Sequence, residues 1–310
     1  MNPRLKQIRE VTHGRRHPRR ESNHLPRRLR RFPRSRAALR SVTVLPTLLT
    51  LSNGLCGFLA IFLASRDPLA SMPLNWTPLS YAAILIFLGM FFDGLDGRIA
   101  RLTGTTSDLG EQLDSMADMI TFGVAPAFAA VQLAGVQMPY FSLNADWPVD
   151  RIVLIIASIY VACAALRLAR FNVELPEPDN SDHMFFKGLP TPGAAGTVAG
   201  LVLLHQHILG RNGDPMDWPV RLSAVMMAVV MLLAALAMVS RLRYVHVLNR
   251  YVRGQARFTT VTRMVVIILL LAVYPQLAIA LAFVIYALSA PMNWGWRVMS
   301  SVIRRRHGGG

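Results

Sequence analysis

From residue 46 onward the chain alternates long apolar runs with short polar loops, and most runs are too long to be single strands. Candidate helices cover roughly 46 to 65, 80 to 101, 108 to 136, 151 to 171, 190 to 210, 218 to 240, 259 to 274 and 276 to 296. A hydrocarbon core about 30 Å thick takes about 20 predominantly apolar residues per helix. The pattern therefore predicts an all-α, polytopic membrane helix bundle of about eight transmembrane helices. The last two runs meet at Tyr274 and Pro275, where proline removes a backbone donor, so they are two short spans or one kinked helix.

Charge gives the bundle a direction. Arg98 and Arg101, then Arg167, Arg170 and Lys187, then Arg241, Arg243, Arg250, Arg253 and Arg257, and finally Arg304, Arg305 and Arg306 fall in every second loop or at the end. The positive-inside rule puts these loops and both termini on the cytoplasmic side. In the intervening loops Arg66, Arg151, Arg211 and Arg221 are balanced by Asp67, Asp146, Asp150, Asp214 and Asp217. Both termini on one side require an even number of spans, which favours eight over seven.

The composition, 53% apolar with a formal net charge of +16 over 310 residues, agrees with a membrane protein. Much of the positive charge lies in residues 1–41, which hold Arg15, Arg16, Arg19, Arg20, Arg27, Arg28, Arg30, Arg31, Arg34, Arg36 and Arg40 among several prolines. Without an amphipathic period this segment reads as a disordered basic arm that marks topology and touches anionic lipid headgroups. No nucleic-acid-reading module follows it, so nucleic acid is not expected as a partner. Residues 42–300 form one membrane domain and 301–310 a basic, glycine-ended tail. Cys56 and Cys163 both sit in apolar runs and support neither a disulfide framework nor a cysteine metal site. No small-residue cleavage site follows an early apolar run, so a cleaved signal peptide is not expected.

The chemistry concentrates in FFDGLDGRIARLTGTTSDLGEQLDSMADMITFG, which spans the end of the second run and the start of the third. On a helix Asp93, Asp96, Gly97, Ala100 and Arg101 share one face, and Gly110, Asp114 and Asp118 share a face of the next. A short turn joins the two helices, which should be antiparallel neighbours with meeting acidic faces. One Asp in the middle of a membrane helix costs about 2.5–3.5 kcal/mol, so four gathered near an interface need a compensating partner. Carboxylates without His or Cys select hard cations, Mg²⁺, Mn²⁺ or Ca²⁺, over zinc. A pair of such ions on Asp93, Asp96, Asp114 and Asp118 would clamp a pyrophosphate. The small Gly97, Ala100 and Gly110 would let phosphates approach the backbone.

The pattern Asp93-x2-Asp96-Gly97-x2-Ala100-Arg101-x8-Gly110-x3-Asp114-x3-Asp118 resembles the full signature of the CDP-alcohol phosphotransferase family. The resemblance implies metal ligation by all four aspartates, with Asp118 also the base for the acceptor hydroxyl. It also implies a CDP-lipid site that includes Gly97, Ala100, Arg101 and Gly110, together with Thr47 and Thr50 of the first span. Family members often have Asn after the proline where Thr47 follows Pro46, so a hydroxyl replaces an amide here.

The flanking segments LPTLLTLSNGLCGFLAIFLAS, DSMADMITFGVAPA, RLARFNVE and FKGLPTPGAAG resemble the branch of that family that takes serine as acceptor. This resemblance covers roughly residues 42 to 245 and not the basic arm. It implies CDP-diacylglycerol and L-serine as substrates, a homodimer surrounded by membrane lipids, and a cytoplasm-facing site in a bacterial inner membrane. Serine is a small zwitterion and needs a cation for its carboxylate. Arg170 is the foremost candidate, with Arg167, Lys187 and Asn172 beside it. Charge alone does not separate serine from glycerol 3-phosphate or inositol phosphate. An ion-coupled transporter would also bury acids, but would not explain the small residues spaced among them.

Overall fold

The computed structural model describes residues 36–67, 72–73, 76–104, 107–137, 149–173, 185–208, 218–245 and 273–307. The chain forms α1 (Arg36–Ala64), α2 (Pro78–Thr103) and α3 (Asp108–Asp118), then a π-helical turn (Met119–Val124) that runs into α4 (Ala125–Gln137). Next come α5 (Val149–Val173), β1 (Phe185–Lys187), α6 (Thr191–Ile208), α7 (Trp218–Val239), β2 (Arg243–Val245) and α8 (Pro275–His307).

Six stretches among the described residues are helical, long and apolar enough to cross a membrane: Val44–Ala64, Pro78–Thr103, Asp108–Gly135, Arg151–Val173, Trp218–Val239 and Pro275–Trp296. This is the make-up of an integral membrane protein. Leu48, Leu51, Leu55 and Phe58 of α1 and Leu233 and Leu236 of α7 are exposed, as lipid-facing side chains are. The predicted run at 259 to 274 lies largely outside the described residues, as does the basic arm up to residue 35. Tyr274 is not helical, and Pro275 opens α8 at a first-turn position where its missing donor costs nothing. The predicted fifth run is α6, which falls outside the six because it opens on Thr191 and Pro192 and ends in His205, Gln206 and His207, which lower its hydropathy. Most of α6 is nevertheless buried, 13 of its 18 residues, because its Gly, Ala and Thr residues let neighbours come close. A Cβ at Gly196 would collide with the ring of Phe283 on α8.

Local sequence explains the helix ends that bear on the acidic stretch. Thr77 caps α2 by accepting from the Ser80 amide at 3.2 Å, with Pro78 in the first turn. The helix stops at Gly104, whose φ of 64° suits glycine and whose N–H reaches the Ala100 carbonyl. Ser107 then caps α3 by accepting from the Gly110 amide at 3.1 Å.

The bundle is helical as the sequence predicts, with two local features added to it. The third run is interrupted by the π-turn, and β1 pairs antiparallel with β2, setting Lys187 opposite Arg243 in register. The ribbon is tied to the bundle by Gly188, which has φ 83°. Its N–H donates to the Leu242 carbonyl at 2.8 Å, and a Cβ there would run into the Met238 carbonyl. Buried Tyr244 of β2 donates to the Ala287 carbonyl of α8 at 3.0 Å. The core is Ala-rich, with Ile86, Phe122, Leu133, Tyr160, Val198, Val202 and Met231 as its larger members.

Candidate functional site

The acidic stretch folds into a cleft whose floor is α1. Its backbone runs closely beside both α2 and α3, whereas α2 and α3 have almost no backbone contact with each other. The acidic faces meet as expected, but through side chains rather than through close backbone packing. The helices stand apart, and the carboxylates reach into the gap between them. One oxygen each from Asp93, Asp114 and Asp118 lies within 4.8 Å of the others. Asp96 stands beside this trio, close enough to act electrostatically on Asp93, Asp114 and Asp118, and its Oδ2 accepts from the Thr50 hydroxyl at 2.7 Å.

The donor set fits a divalent cation. Three convergent carboxylates are hard oxygen ligands, and the buried Asp114 Oδ1 has no hydrogen-bond partner. A buried acceptor without a partner costs about 1–3 kcal/mol, more when charged, and a bound cation removes that cost. Arg167 interacts electrostatically with Asp118. Asp118 itself is only 8% exposed, and its Oδ1 accepts from the Asn53 side-chain amide at 2.9 Å.

The small residues of the signature divide into two kinds. Among the described residues, a Cβ at Gly97 would meet only the Arg101 guanidinium, at 3.8 Å, so on this side Gly97 is open with an exposed cation beside it. Ala100 is half-buried, and its carbonyl is taken up by the Gly104 cap. Gly110 is tight instead: a Cβ there would lie 3.1 Å from Ser107 Oγ, so its bareness serves the α3 cap as well as any ligand. On α1, Thr50 joins the cleft, whereas Thr47 is exposed one turn earlier.

The acceptor candidates separate as well. Arg170 is exposed at the end of α5. Arg167 turns inward and donates to the Thr191 hydroxyl of α6 at 2.9 Å, while its Nε is buried without a partner. Asn172 donates to Ser115 of α3 at 2.9 Å, next to Asp114. Lys187 ends β1. Asn53 was not singled out from the sequence. The available signal was the spacing of Thr47, Thr50 and Asn53, a polar stripe inside an apolar run.

A family profile described as CDP-alcohol phosphatidyltransferase matches residues 43–234. Similar proteins include the CDP-diacylglycerol–serine O-phosphatidyltransferase of Helicobacter pylori, 35% identical over 201 residues that make up 64% of this chain and 70% of that one. The proteins of the same name from Saccharomyces cerevisiae and Bacillus subtilis are also similar. The yeast protein is 38% identical over 157 residues, covering 49% of this chain and 51% of its own. The Bacillus protein is 33% identical over 165 residues, covering 53% and 78%.

Proposed function

The chain belongs to the CDP-alcohol phosphatidyltransferase family, and from that premise we propose that it transfers the phosphatidyl group of CDP-diacylglycerol to the hydroxyl of L-serine, releasing CMP, in phospholipid synthesis. The observation that carries this proposal is the meeting of Asp93, Asp114 and Asp118 in a cleft bordered by open Gly97 and Arg101. Serine as acceptor is supported by the names of the relatives in two bacteria and a yeast.

In this mechanism the nucleotide lies over Gly97, with Arg101 against its phosphates and the acyl chains leaving sideways into the bilayer. Asp93, Asp96, Asp114 and Asp118 would hold Mg²⁺ or Mn²⁺, with Ca²⁺ a further candidate, as a pair of ions. Bound there, divalent cations neutralise charge on the pyrophosphate and on the departing CMP. Asp118 takes the proton of the serine hydroxyl; the serine oxygen bonds to the lipid-bearing phosphorus as the phosphoanhydride bond to CMP breaks. Arg167 receives the serine carboxylate, a role supported by its inward course and by its electrostatic interaction with Asp118. Asn172 and Lys187 border the acceptor side, and Thr47 borders the nucleotide side.

On the scale of the whole chain, the proposal includes eight spans with both termini in the cytoplasm, a homodimer, and an active site facing the cytoplasm from a bacterial inner membrane. The basic arm, the membrane domain of 42–300 and the basic tail are the units of that arrangement. The deciding experiment offers serine, glycerol 3-phosphate and inositol phosphate to purified protein with CDP-diacylglycerol and follows CMP. Release that needs both serine and a divalent ion supports the proposal. Preference for glycerol 3-phosphate would replace the acceptor and keep the transfer, and no CMP release with any acceptor would end it.

A further inference from the structure

Asp118 is the last residue of α3, and the helix changes its winding immediately after it, in the π-turn Met119–Val124. A π-turn adds a residue to a helical turn and disturbs the usual pairing of its carbonyls, and such turns collect at functional sites. Here both neighbouring helices secure it. Fully buried Tyr160 of α5 donates its hydroxyl to the Phe122 carbonyl at 3.0 Å. Thr121 donates its hydroxyl to the Asn53 carbonyl of α1 at 2.8 Å.

Thr121 is seated between two bare backbones. A Cβ at Gly57 would lie 2.7 Å from the Thr121 Cα, and one at Gly89 would lie 2.6 Å from its Cγ2. The residue whose carbonyl Thr121 holds is the one whose side chain touches Asp118. Asn53 is fully buried, its amide nitrogen donates to Asp118 Oδ1 at 2.9 Å, and its own Oδ1 has no hydrogen-bond partner. A Cβ at Gly89 would stand 2.9 Å from that oxygen, so it faces the bare stretch of α2. Leaving a buried amide half satisfied is costly, and packing alone does not explain it.

We infer that Asn53 is a positioning residue for Asp118, locked in place by the π-turn through Thr121 and Tyr160. It ties Oδ1 and leaves Oδ2 to take the acceptor proton. This rests on Asp118 being the base. Fixing one carboxylate oxygen sets the direction of proton transfer, and misplacement of about 1 Å in such a group costs on the order of 100-fold in rate.

The test uses full-length protein in detergent with CDP-diacylglycerol, serine and Mn²⁺. Asn53→Leu, nearly isosteric and without a donor, is expected to lower kcat roughly 10- to 100-fold with KM for CDP-diacylglycerol within about threefold of the parent. Thr121→Val and Tyr160→Phe, which keep shape and lose one hydroxyl each, are expected to lower kcat by a smaller factor. Adding Thr121→Val to Asn53→Leu should cost nothing further, because both act through one carboxylate. Additive losses, or a rise in KM that accounts for the loss, would mean a structural role and overturn the inference. If Asn53→Leu does not fold, unchanged kcat in both Thr121→Val and Tyr160→Phe overturns it instead. Asp118→Asn separates the two layers: Asn53→Leu at parental kcat beside an inactive Asp118→Asn removes the positioning role alone, whereas an active Asp118→Asn removes the base.

Discussion

Gly89 and Gly97 lie on the same helix, yet their missing side chains serve different ends. At Gly89 the space is filled by Thr121 and Asn53; at Gly97 it is open and flanked by Arg101. Substitution by Ala adds up to about 1 kcal/mol of helix propensity at either position. At Gly89 the new methyl would overpack Thr121, costing about 1–3 kcal/mol and outweighing the gain. Gly89→Ala should therefore lower the melting temperature. Gly97→Ala should melt at or above the parent and raise KM for CDP-diacylglycerol, because its methyl projects into the proposed nucleotide site. An unchanged KM would remove Gly97 from the nucleotide site. The four aspartates were legible in the sequence because helical spacing puts them on two stripes. Asn53 was not, since a polar residue in an apolar run acquires its meaning only when α1 lies beside α3. The choice between Arg167 and Arg170 depends in the same way on the rotation of α5 against α6.

Among the elements, α3 carries the greatest burden for its size, an 11-residue helix that presents Asp114 and Asp118. Its C-terminal end is continuous with the π-turn and α4, so fraying is confined to its start. Its start relies on the Ser107 cap, and its later turns are held by Asn172 on Ser115 and by Asn53 on Asp118. Ser107→Ala should cost about 1 kcal/mol and speed amide exchange over residues 108 to 111. CMP release should persist, because Asp114 and Asp118, the two proposed ligands on this helix, lie beyond the frayed turn. Lost activity without faster exchange would show that the cap hydroxyl itself serves the substrate. The start of α3 was visible in the sequence as a polar stretch with acids in its first turn. The π-turn was not, because its apolar residues continue the pattern of the run, and the hydroxyls that secure its register come from Tyr160 and Thr121.

For the whole molecule, the charge gathered in the cleft links stability to metal. Carboxylates held within 4.8 Å repel one another in the folded protein, and unfolding would relieve them. An ion that binds only the folded state adds about 2.7 kcal/mol at 100 times its Kd. The melting temperature should therefore rise as Mg²⁺ or Mn²⁺ is added, and EDTA should abolish CMP release until metal is restored. Asp93→Asn combined with Asp114→Asn should remove that rise. A melting temperature indifferent to divalent ions in the parent protein would exclude a metal site at this trio. The bundle also extends past the family-matched residues 43–234: α8 packs along α6, and Tyr286 of α8 meets Tyr244 at a ring separation of 5.8 Å.

The order of residues by itself determined the membrane class, the positions of the six longest apolar helices and the two stripes of aspartate. Each of these depends on local periodicity, and the bilayer leaves the backbone few alternatives to helix. Tertiary structure decided that α2 and α3 stand apart on α1, that α6 is buried through its small residues, and that Asp118 is bound to Asn53. These are contacts between residues far apart in the chain, set by the fit of helix faces, and hydropathy along a single strand of sequence carries no record of which faces meet.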